Sequence, residues 1–399
     1  MSKKPLIILF NYGGGLRGII PATIMAEIEK RTKLYMTDMI DVFTGPSTGT
    51  ILNTALNIPH PKKDNRPLFK AKHLVKFYER EGNSIFPDDA FREFRGFIHD
   101  FNNRTMKIGQ LNSLLSHGHY KPDHLKVSLR KMYGDHTLSE SIKSLVIPAY
   151  NINHGILHST QDEGEDPNEP AHTTNNLMDD GGHAIWFKNI KFDGAKLTEE
   201  PQNVELYDAV MGSTAAPTYF PCHHFKSRDN KHSYDVIDGT IFDNPCMSYI
   251  GALRHHIPED REVFFIILGT GYTNRSFKSE EWNRFGSLGI VDPVNDLPLI
   301  NILFHASESA LMDSFESEVG KNIFYFNKSL ISDDENYPSS RLDDGSPENM
   351  KKLKEFAHII IDENKEQFDK LCELLANNHH KNSKKEKPSR FFSIFGKNK

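Results

Sequence analysis

Near its N-terminus the sequence repeats one pattern: a short apolar run, a glycine-containing turn and a segment with apolar residues at helical spacing. The first copy has its apolar run at residues 6–10 and its helical spacing after Gly18. The second has its run at residues 40–44 and its helical spacing from Ile51. Short apolar runs of this kind are typical of strands buried on both faces of a sheet. Repeated strand–turn–helix units predict an α/β fold with a parallel sheet, because parallel neighbours need a crossover connection.

Further candidate strands follow along the chain. Residues 145–150 and 263–269 are apolar, and residues 234–237 also favour a strand. From Ser346 the apolar spacing becomes helical, with serine at the cap position and proline in the first turn. Residues 161–176 are polar and acidic, which predicts an exposed loop. The chain therefore combines several sheet strands with a long helical C-terminal segment.

The composition excludes several classes of protein. Hydrophobic residues make up 37% of the 399 residues and aromatic residues 11%, which is too much apolar material for a disordered chain. The formal net charge is -6, so we expect no nucleic-acid polymer as a partner. The longest apolar run, residues 263–268, is far below the roughly 20 residues that span a bilayer. No export signal is recognisable in the first residues.

The cysteines and histidines do not form a familiar metal pattern. Cys222, Cys246 and Cys372 are odd in number and far apart, so they predict neither a disulfide framework nor a CxxC site. No histidine pair has the HExxH spacing of a zinc enzyme. We therefore predict a cytoplasmic protein that needs no metal or organic cofactor and contacts membranes only peripherally. Delivery into a host cell stays open.

The turn after the second apolar run, Gly45-Pro46-Ser47-Thr48-Gly49, fits the G-x-S-x-G pattern. In that pattern, glycines on both sides of a serine permit a sharp strand-to-helix turn from which the hydroxyl projects. The chemistry that this arrangement serves is acyl transfer with Ser47 as nucleophile. The alternative is a serine that only caps the helix. The apolar strand before the turn and the helical spacing after it favour the nucleophile.

An attacking serine also needs hydrogen-bond donors for the oxyanion that forms on the carbonyl oxygen. The glycine-rich turn around Gly13, Gly14 and Gly15 can present backbone N–H groups to that oxyanion. Arg17 adds positive charge beside an anionic intermediate or a lipid phosphate. The turn lacks the spacing of a dinucleotide-binding loop and the ending of a P-loop, so a nucleotide site is disfavoured. A plain structural turn is the remaining alternative.

A serine nucleophile needs a base, and two Asp-Gly pairs compete for that role. Asp180 lies in a polar stretch, whereas Asp238-Gly239 directly follows a β-prone run. A base at a strand end is better positioned than one in a loop, so we choose Asp238. A Ser-His-Asp triad stays open as an alternative. Its candidate histidines are His223, His224, His255, His256 and His305.

Taken together, these motifs resemble the patatin-like phospholipases and acylhydrolases, in a form typical of bacterial members. The resemblance rests on five blocks in the same order: residues 13–21, 43–49, 213–221, 238–239 and 268–271. It covers about residues 6–272, and the segment from Leu342-Asp343-Asp344 through the last helix is also similar to plant and bacterial members.

The resemblance implies a catalytic dyad without histidine, in which Ser47 is the nucleophile and Asp238 the base. It also implies that the amides of Gly13, Gly14 and Gly15 form the oxyanion hole, with Arg17, Gly45, Gly49 and Gly239 in supporting positions. The fold that it implies is a three-layer sandwich with a mainly parallel central sheet between helices. We divide the chain into a catalytic domain at residues 1–345, a C-terminal helix packed on it at 346–378 and a flexible basic, aromatic tail at 379–399. The expected reaction is hydrolysis of the fatty-acyl esters of glycerophospholipids.

The sequence departs from the family pattern at a few positions near the expected site. Tyr12 stands where the family usually has aspartate, Pro46 and Thr50 vary the serine turn, and Thr240 replaces a small residue after Asp238. Thr240 could narrow the room near Asp238, and Pro46 restricts the backbone before the serine. Two alternatives therefore stay open: a soluble carboxylesterase, and a catalytically idle relative that binds lipid as a regulator.

The last residues differ in character from the rest of this acidic chain. Residues 381–399 combine seven lysines and arginines with the aromatic segment Phe391-Phe392-Ser393-Ile394-Phe395. Basic and aromatic side chains together favour an anionic membrane surface, where each positive charge contributes about 1 kcal/mol. We therefore expect a phospholipid membrane surface as partner and substrate; a solvated tail without a partner is the alternative. The sequence leaves open a small-molecule or protein activator and the oligomeric state.

Overall fold

The structure is a computed structural model that describes residues 4–85, 122–153, 181–197, 201–217, 219–273, 276–290, 298–332, 334 and 336–385. The predicted loop at 161–176, Asp180 and the tail from residue 386 onward lie outside the described residues. None of the described helices has the length and apolar character needed to cross a bilayer.

The strands form one eight-stranded sheet. They are β1 (Leu6–Asn11), β2 (Val42–Thr44), β3 (Ser144–Asn151), β4 (His183–Asn189), β5 (His223–Lys226), β6 (Ser233–Asp238), β7 (Val263–Leu268) and β8 (Ile323–Phe326). The sheet runs in the order β5-β6-β3-β2-β1-β7-β8, and β4 also pairs with β3. The four pairings among β3, β2, β1, β7 and β8 are parallel, and those of β4, β5 and β6 are antiparallel. The predicted strands and the mainly parallel sheet are confirmed.

Helices connect the strands and follow the last one. They are α1 (Ile19–Thr32), α2 (Met36–Met39), α3 (Thr48–Leu56), α4 (Ala71–Ile85), α5 (Asp123–Tyr133), α6 (Leu206–Ser213), α7 (Pro245–Met247), α8 (Ser279–Gly289), α9 (Pro298–Val319), α10 (Pro347–Glu363) and α11 (Lys365–Lys385). The predicted helices after Gly18 and Ser47 correspond to α1 and α3.

Both faces of the sheet are covered because alternate residues of each central strand point to opposite sides. In β1, Ile7 and Leu9 belong to a large core cluster with residues of α1, α3, α6, α10 and α11. Ile8 and Phe10 belong to a second cluster, which includes Cys246 of α7 and Phe315 of α9. All four of these β1 side chains are fully buried. The predicted α/β arrangement of a sheet between two helical layers is therefore present.

The C-terminal segment differs from the prediction of one helix over residues 346–378. It consists of α10 and α11, which meet at Asn364, and α11 continues to Lys385. Asn364 leaves the helical conformation at φ -110° and ψ 28°, and its side-chain amide donates a 2.9 Å hydrogen bond to the Ile360 carbonyl. An asparagine that satisfies a helix-end carbonyl in this way competes with helix continuation, which apolar spacing alone does not reveal.

Candidate active site

The two turns of the repeated N-terminal pattern lie side by side at one edge of the sheet. β1 and β2 are parallel neighbours, with Phe10 opposite Thr44. Each turn follows the carboxyl end of its strand, so residues 13–15 and Ser47 leave the sheet at the same edge. This is the edge at which open α/β sheets bind their ligands.

β6 is the third strand that ends at this place, and it arrives from the opposite direction. β4 pairs along the length of β3, and the other edge of β3 is shared by β2 and β6. Parallel β2 pairs with residues 144–146 of β3, and antiparallel β6 pairs with residues 149–151. The carboxyl ends of β2 and β6 therefore face each other across the intervening part of β3. This arrangement brings Asp238, the last residue of β6, to the turn that carries Ser47.

The turn at Ser47 has the backbone geometry of a nucleophile elbow. Ser47 adopts φ 54° and ψ -126°, a combination that is strained for a residue with a side chain. Gly45 and Gly49 let the turn approach β1 closely, because a Cβ at either position would lie 2.0 Å from the Asn11 carbonyl oxygen. The elbow that the G-x-S-x-G pattern predicts is therefore present, and α3 begins directly after it.

Buried polar side chains hold this strained turn in place. The Asn11 side-chain amide donates a 2.7 Å hydrogen bond to Asn53, whose own amide donates a 2.6 Å bond to the Thr44 carbonyl. The Ser47 N–H donates to the Ser213 carbonyl oxygen at 3.0 Å. All four supporting residues are at most 1% exposed. Because breaking a buried network leaves unpaired polar groups, the strain at Ser47 is held by its surroundings.

The glycine-rich turn packs directly against the elbow. A Cβ at Gly13 would lie 3.2 Å from the Ser47 Cβ and 2.6 Å from the Thr240 hydroxyl oxygen. A Cβ at Gly14 would lie 2.3 Å from the Thr270 hydroxyl oxygen, which itself donates a 2.7 Å hydrogen bond to the Gly13 carbonyl. Close approach therefore requires glycine at both positions.

The backbone donors of this turn are free to receive an anion. The N–H groups of residues 13–15 donate to no acceptor within the described residues, whereas their neighbours are engaged. Tyr12 donates its N–H to the Leu268 carbonyl at 3.0 Å, and Leu16 donates to the Leu342 carbonyl at 2.8 Å. Unengaged N–H groups beside a serine hydroxyl are the arrangement that stabilises an oxyanion.

Asp238 is buried beside the elbow, with a side chain that is only 1% exposed. Its Oδ1 accepts hydrogen bonds from the Thr240 N–H at 2.8 Å and from the Thr240 hydroxyl at 2.7 Å. Burial raises the pKa of Asp238 to about 6, against the lowering effect of the nearby Ser47 hydroxyl and of the hydrogen bonds from Thr240. The carboxyl group is thus close to the Ser47 hydroxyl and ionises near neutral pH, which suits a general base.

Thr240 and Thr270 are site residues to which sequence reasoning assigned no supporting role. Thr240 orients the Asp238 carboxyl, and Thr270 fixes the carbonyl of Gly13. Thr240, which could narrow the room near Asp238, contacts its carboxyl through a pair of hydrogen bonds. The sequence signals for Thr270 were its place in the block at residues 268–271 and its position two residues after β7, the parallel neighbour of β1.

Two other residues near the glycine turn make structural contacts. The Arg17 guanidinium is 8% exposed and donates a 3.1 Å hydrogen bond to the Ser340 carbonyl, which ties the turn to the segment before α10. The Tyr12 hydroxyl bonds to Glu308 of α9, and its ring packs on Phe10 with the ring centres 5.1 Å apart. Tyr12, at the position where the family usually has aspartate, thus connects the glycine-rich turn to α9.

The candidate histidines of a Ser-His-Asp triad make contacts other than the elbow. His223 lies 3.0 Å from Asp208, His224 lies 2.6 Å from Asp235, and His256 contacts the Lys196 carbonyl at 2.7 Å. The His255 ring lies tilted against that of His256, with the ring centres 3.9 Å apart, and His305 lies 3.9 Å from Glu308. The contacts of these five side chains favour the histidine-free arrangement.

Within the described ranges, no cluster of three or more histidine, cysteine, aspartate or glutamate side chains could hold a metal ion. Comparison with known proteins gives a family match that includes the elbow. The family model described as patatin-like phospholipase matches residues 12–250, which include the glycine turn, Ser47 and Asp238. The chain belongs to the patatin-like phospholipase family. Members of this family are lipid acyl hydrolases.

The relatives of this patatin-like chain include plant proteins of similar length. Patatin-like protein 2 of rice (Oryza sativa subsp. indica) is 26% identical over 400 residues, covering 92% of this chain and 86% of its own. Patatin-like protein 2 of Arabidopsis thaliana is 27% identical over 325 residues, covering 75% and 69%. The bacterial type stays a prediction, since both of these relatives are plant proteins.

A solved structure that matches this chain in part is that of VipD from Legionella pneumophila. It is 13% identical to this chain, with a TM-score of 0.29 over 90% of this chain and 67% of its own. At that score the overall likeness supports no conclusion about function. The family assignment rests on the match to residues 12–250.

The close contact at Gly14 makes a testable prediction for this patatin-like site. We expect Gly14→Ala to lower kcat by about tenfold or more, because the new methyl group must displace the turn from Thr270. Thr270 is only 2% exposed and bonded to Gly13, so it cannot move aside freely. Overpacking of this kind also lowers the free energy of unfolding by about 1–3 kcal/mol.

The matched control is Gly181→Ala, since a Cβ there would meet no atom within 4 Å. Initial rates and urea unfolding of both variants provide the measurement. If Gly14→Ala retained the kcat of the unmodified chain in a folded protein, the glycine turn would not be part of the reacting geometry.

Proposed function

We propose that the protein is a serine lipid acyl hydrolase of phospholipase A type, which cleaves the fatty-acyl esters of glycerophospholipids through Ser47 and Asp238. The observation that carries this proposal is the position of Ser47. It lies on a strained elbow between a buried carboxyl of raised pKa and a turn with unengaged N–H groups. These are the nucleophile, base and oxyanion donors of an acyl transfer.

In the acylation half of the reaction, the Ser47 Oγ attacks the ester carbonyl carbon while the Asp238 carboxylate accepts the hydroxyl proton. The carbonyl oxygen becomes an oxyanion and receives hydrogen bonds from the N–H groups of residues 13–15. The tetrahedral intermediate then collapses, and the bond to the alcohol oxygen breaks. Asp238 returns the proton to that leaving oxygen, which releases a lysophospholipid and leaves the acyl group on Ser47.

In the deacylation half, a water molecule repeats the attack on the acyl-serine. Asp238 accepts a proton from this water as its oxygen bonds to the carbonyl carbon, and the same N–H groups stabilise the second oxyanion. Collapse of this intermediate breaks the bond to the Ser47 Oγ, and Asp238 returns the proton to Ser47. The products are the free fatty acid and the regenerated enzyme.

The departures from the family pattern are compatible with this chemistry. Thr240 donates two hydrogen bonds to the proposed base, and the Pro46 carbonyl accepts a 2.9 Å bond from the Gly49 N–H within the elbow. Tyr12 makes its side-chain contact with Glu308 on α9. These contacts favour an active enzyme over the idle, lipid-binding relative.

Fatty-acid release from mixed vesicles of phosphatidylcholine and phosphatidylglycerol tests the proposal. We expect the protein to release fatty acid and lysophospholipid in equal amounts, and to prefer the vesicles to a short-chain ester such as p-nitrophenyl butyrate. Mass spectrometry of the lysophospholipid identifies the acyl position that is cleaved. Rapid turnover of the short ester together with intact vesicle lipid would instead assign a soluble carboxylesterase.

A further inference from the structure

Asp243 is a buried carboxyl group that the proposed reaction does not use. It is 5% exposed and lies five residues after Asp238, just beyond the turn of residues 239–241. Burial raises the pKa of Asp243 to about 8, against the lowering effect of hydrogen bonds from Trp186 and Ser248. A carboxyl kept in such an unfavourable environment needs contacts that repay its desolvation.

The side-chain contacts of Asp243 lead to the elbow. The Ser248 hydroxyl lies 3.1 Å from Oδ1 and 3.0 Å from Oδ2 of Asp243, and its oxygen also lies 2.8 Å from the Thr44 hydroxyl oxygen. Thr44 is the last residue of β2 and immediately precedes Gly45 of the elbow. Thr44 and Ser248 are both fully buried, so water does not replace these contacts.

The main-chain contacts of Asp243 lead to the other half of the proposed dyad. Its N–H donates a 2.8 Å hydrogen bond to the carbonyl of Gly239, the residue after Asp238. Trp186 of β4 fixes the carboxyl from a third direction, because its indole N–H donates to Oδ1 at 3.2 Å. The Trp186 ring in turn packs edge-on against Phe242, with the ring centres 5.2 Å apart.

We propose that Asp243 is a positioning residue, which sets the separation of Ser47 and Asp238 by bonding at once to the strand before the elbow and to the turn after the base. This inference rests on the proposed function of Ser47 and Asp238. β2 and β6 are not hydrogen-bonded to each other where they meet, since each pairs with a different part of β3. The bridge Thr44–Ser248–Asp243–Gly239 supplies a connection between the two strand ends.

The chemistry of a carboxyl group suits this bridge. With its pKa at about 8, the carboxyl is protonated at neutral pH, so Oδ1 accepts the Trp186 N–H while Oδ2 shares a hydrogen bond with the Ser248 hydroxyl. Asparagine keeps the shape but offers one acceptor oxygen, and alanine removes the connection. A displacement of about 1 Å between reacting groups costs on the order of 100-fold in rate.

The test compares Asp243→Ala, Asp243→Asn and Ser248→Ala with Asp41→Asn as the matched control. Asp41 is also a buried aspartate, at 9% exposed, and accepts a hydrogen bond from the Ile7 N–H at the opposite edge of the sheet. We expect Asp243→Ala and Ser248→Ala to lower kcat about 10- to 100-fold with KM within twofold, Asp243→Asn to recover part of that loss, and Asp41→Asn to keep the original kcat. The double variant Asp243→Ala/Ser248→Ala is expected to lose little more kcat than Asp243→Ala alone, because both substitutions break the same bridge.

Crystal structures of the unmodified chain, Asp243→Ala and Asp41→Asn provide a readout that needs no activity. We expect the separation of Ser47 and Asp238 to change in Asp243→Ala only. An unchanged separation, or a kcat within twofold of the original in the folded variant, overturns the role of Asp243. If the unmodified chain hydrolyses no ester but its separation still depends on Asp243, the proposed function fails and the positioning role stands.

Tryptophan emission tests the contact between Trp186 and Asp243. The chain has two, Trp186 and Trp282, so Trp282→Phe leaves Trp186 as the single reporter beside Asp243. In that background, we expect Asp243→Ala to change the emission of Trp186 and Asp41→Asn to leave it unchanged. Identical emission in all three proteins would contradict the contact between Trp186 and Asp243.

Discussion

Ser47→Ala is expected to lower fatty-acid release by at least about 10³-fold while the protein remains folded. Removing the Oγ prevents formation of the acyl-enzyme, and only the binding and oxyanion contributions remain. Alanine at this position carries the same backbone strain as serine, so the elbow does not lose stability through its conformation. Asp238 loses the neighbouring Ser47 hydroxyl, which lowers its pKa, so that pKa rises further.

The measurement is the initial rate on phospholipid vesicles, together with labelling by a fluorophosphonate probe read by mass spectrometry. The matched control is Ser227→Ala. Ser227 is also buried, at 3% exposed, but it bonds to Asp229 in the hairpin between β5 and β6. Release by Ser47→Ala at the original rate, or a probe adduct on another serine, would assign the nucleophile elsewhere.

Asp238→Asn is expected to lower kcat about 10³-fold, since the amide cannot accept the Ser47 proton. In the unmodified protein the base must be ionised, and the pKa of Asp238 is about 6. We therefore expect kcat to fall as the pH drops through about 6. The residual activity of Asp238→Asn should not show this fall. The measurement is the pH profile of kcat in both proteins. A histidine-dependent triad would instead leave Asp238→Asn close to full activity.

The same raised pKa gives a prediction for stability with a definite sign. The folded protein holds the Asp238 proton up to about pH 6, whereas the ordinary value is 3.8, so ionisation between these values opposes folding. The contribution of Asp238 to stability is therefore greatest below pH 3.8 and is lost as the pH rises through 6. At pH 8 we expect the free energy of unfolding of Asp238→Asn to be up to about 3 kcal/mol higher than that of the original chain.

Urea unfolding at pH 5 and pH 8 measures this difference, with Asp41→Asn as the control buried aspartate. The stabilisation by Asp238→Asn should be larger at pH 8 than at pH 5. A variant that gains stability while it loses activity is the pattern expected of a group buried for function. If Asp238→Asn lost stability at pH 8, the carboxyl would be serving the fold.

Much of the fold was predictable because it depends on local spacing. The apolar run of β1 and the short β2, each followed by glycine and helical spacing, predicted two βα units that the structure contains. The elbow was predictable for the same reason, since a positive φ at Ser47 and close approach at Gly45 leave a short-range signature. The division of the C-terminal segment at Asn364 was not predictable, because a single side-chain hydrogen bond decides it.

The supporting residues of the site were also beyond sequence reasoning. Thr240, Thr270 and Ser248 are polar residues whose roles depend on which carbonyl or carboxyl lies opposite them. Thr270 bonds to the Gly13 carbonyl and Ser248 contacts the Thr44 hydroxyl, and both of these partners are distant along the chain. Asp243 could be seen as an acidic residue near Asp238, but its burial and its bond to Trp186 could not.

Local sequence features predicted the parts of the proposed site: a serine on an elbow, a glycine-rich turn and an aspartate at a strand end. These are local features, set by backbone sterics and by the alternation of side chains. Only the tertiary structure decided that they meet. β2 and antiparallel β6 end against each other on one edge of β3, so Ser47 and Asp238 come together although three strands, β3, β4 and β5, lie between β2 and β6 in the chain. Strand pairing between distant segments is a property of the whole core, and no short stretch of residues specifies it.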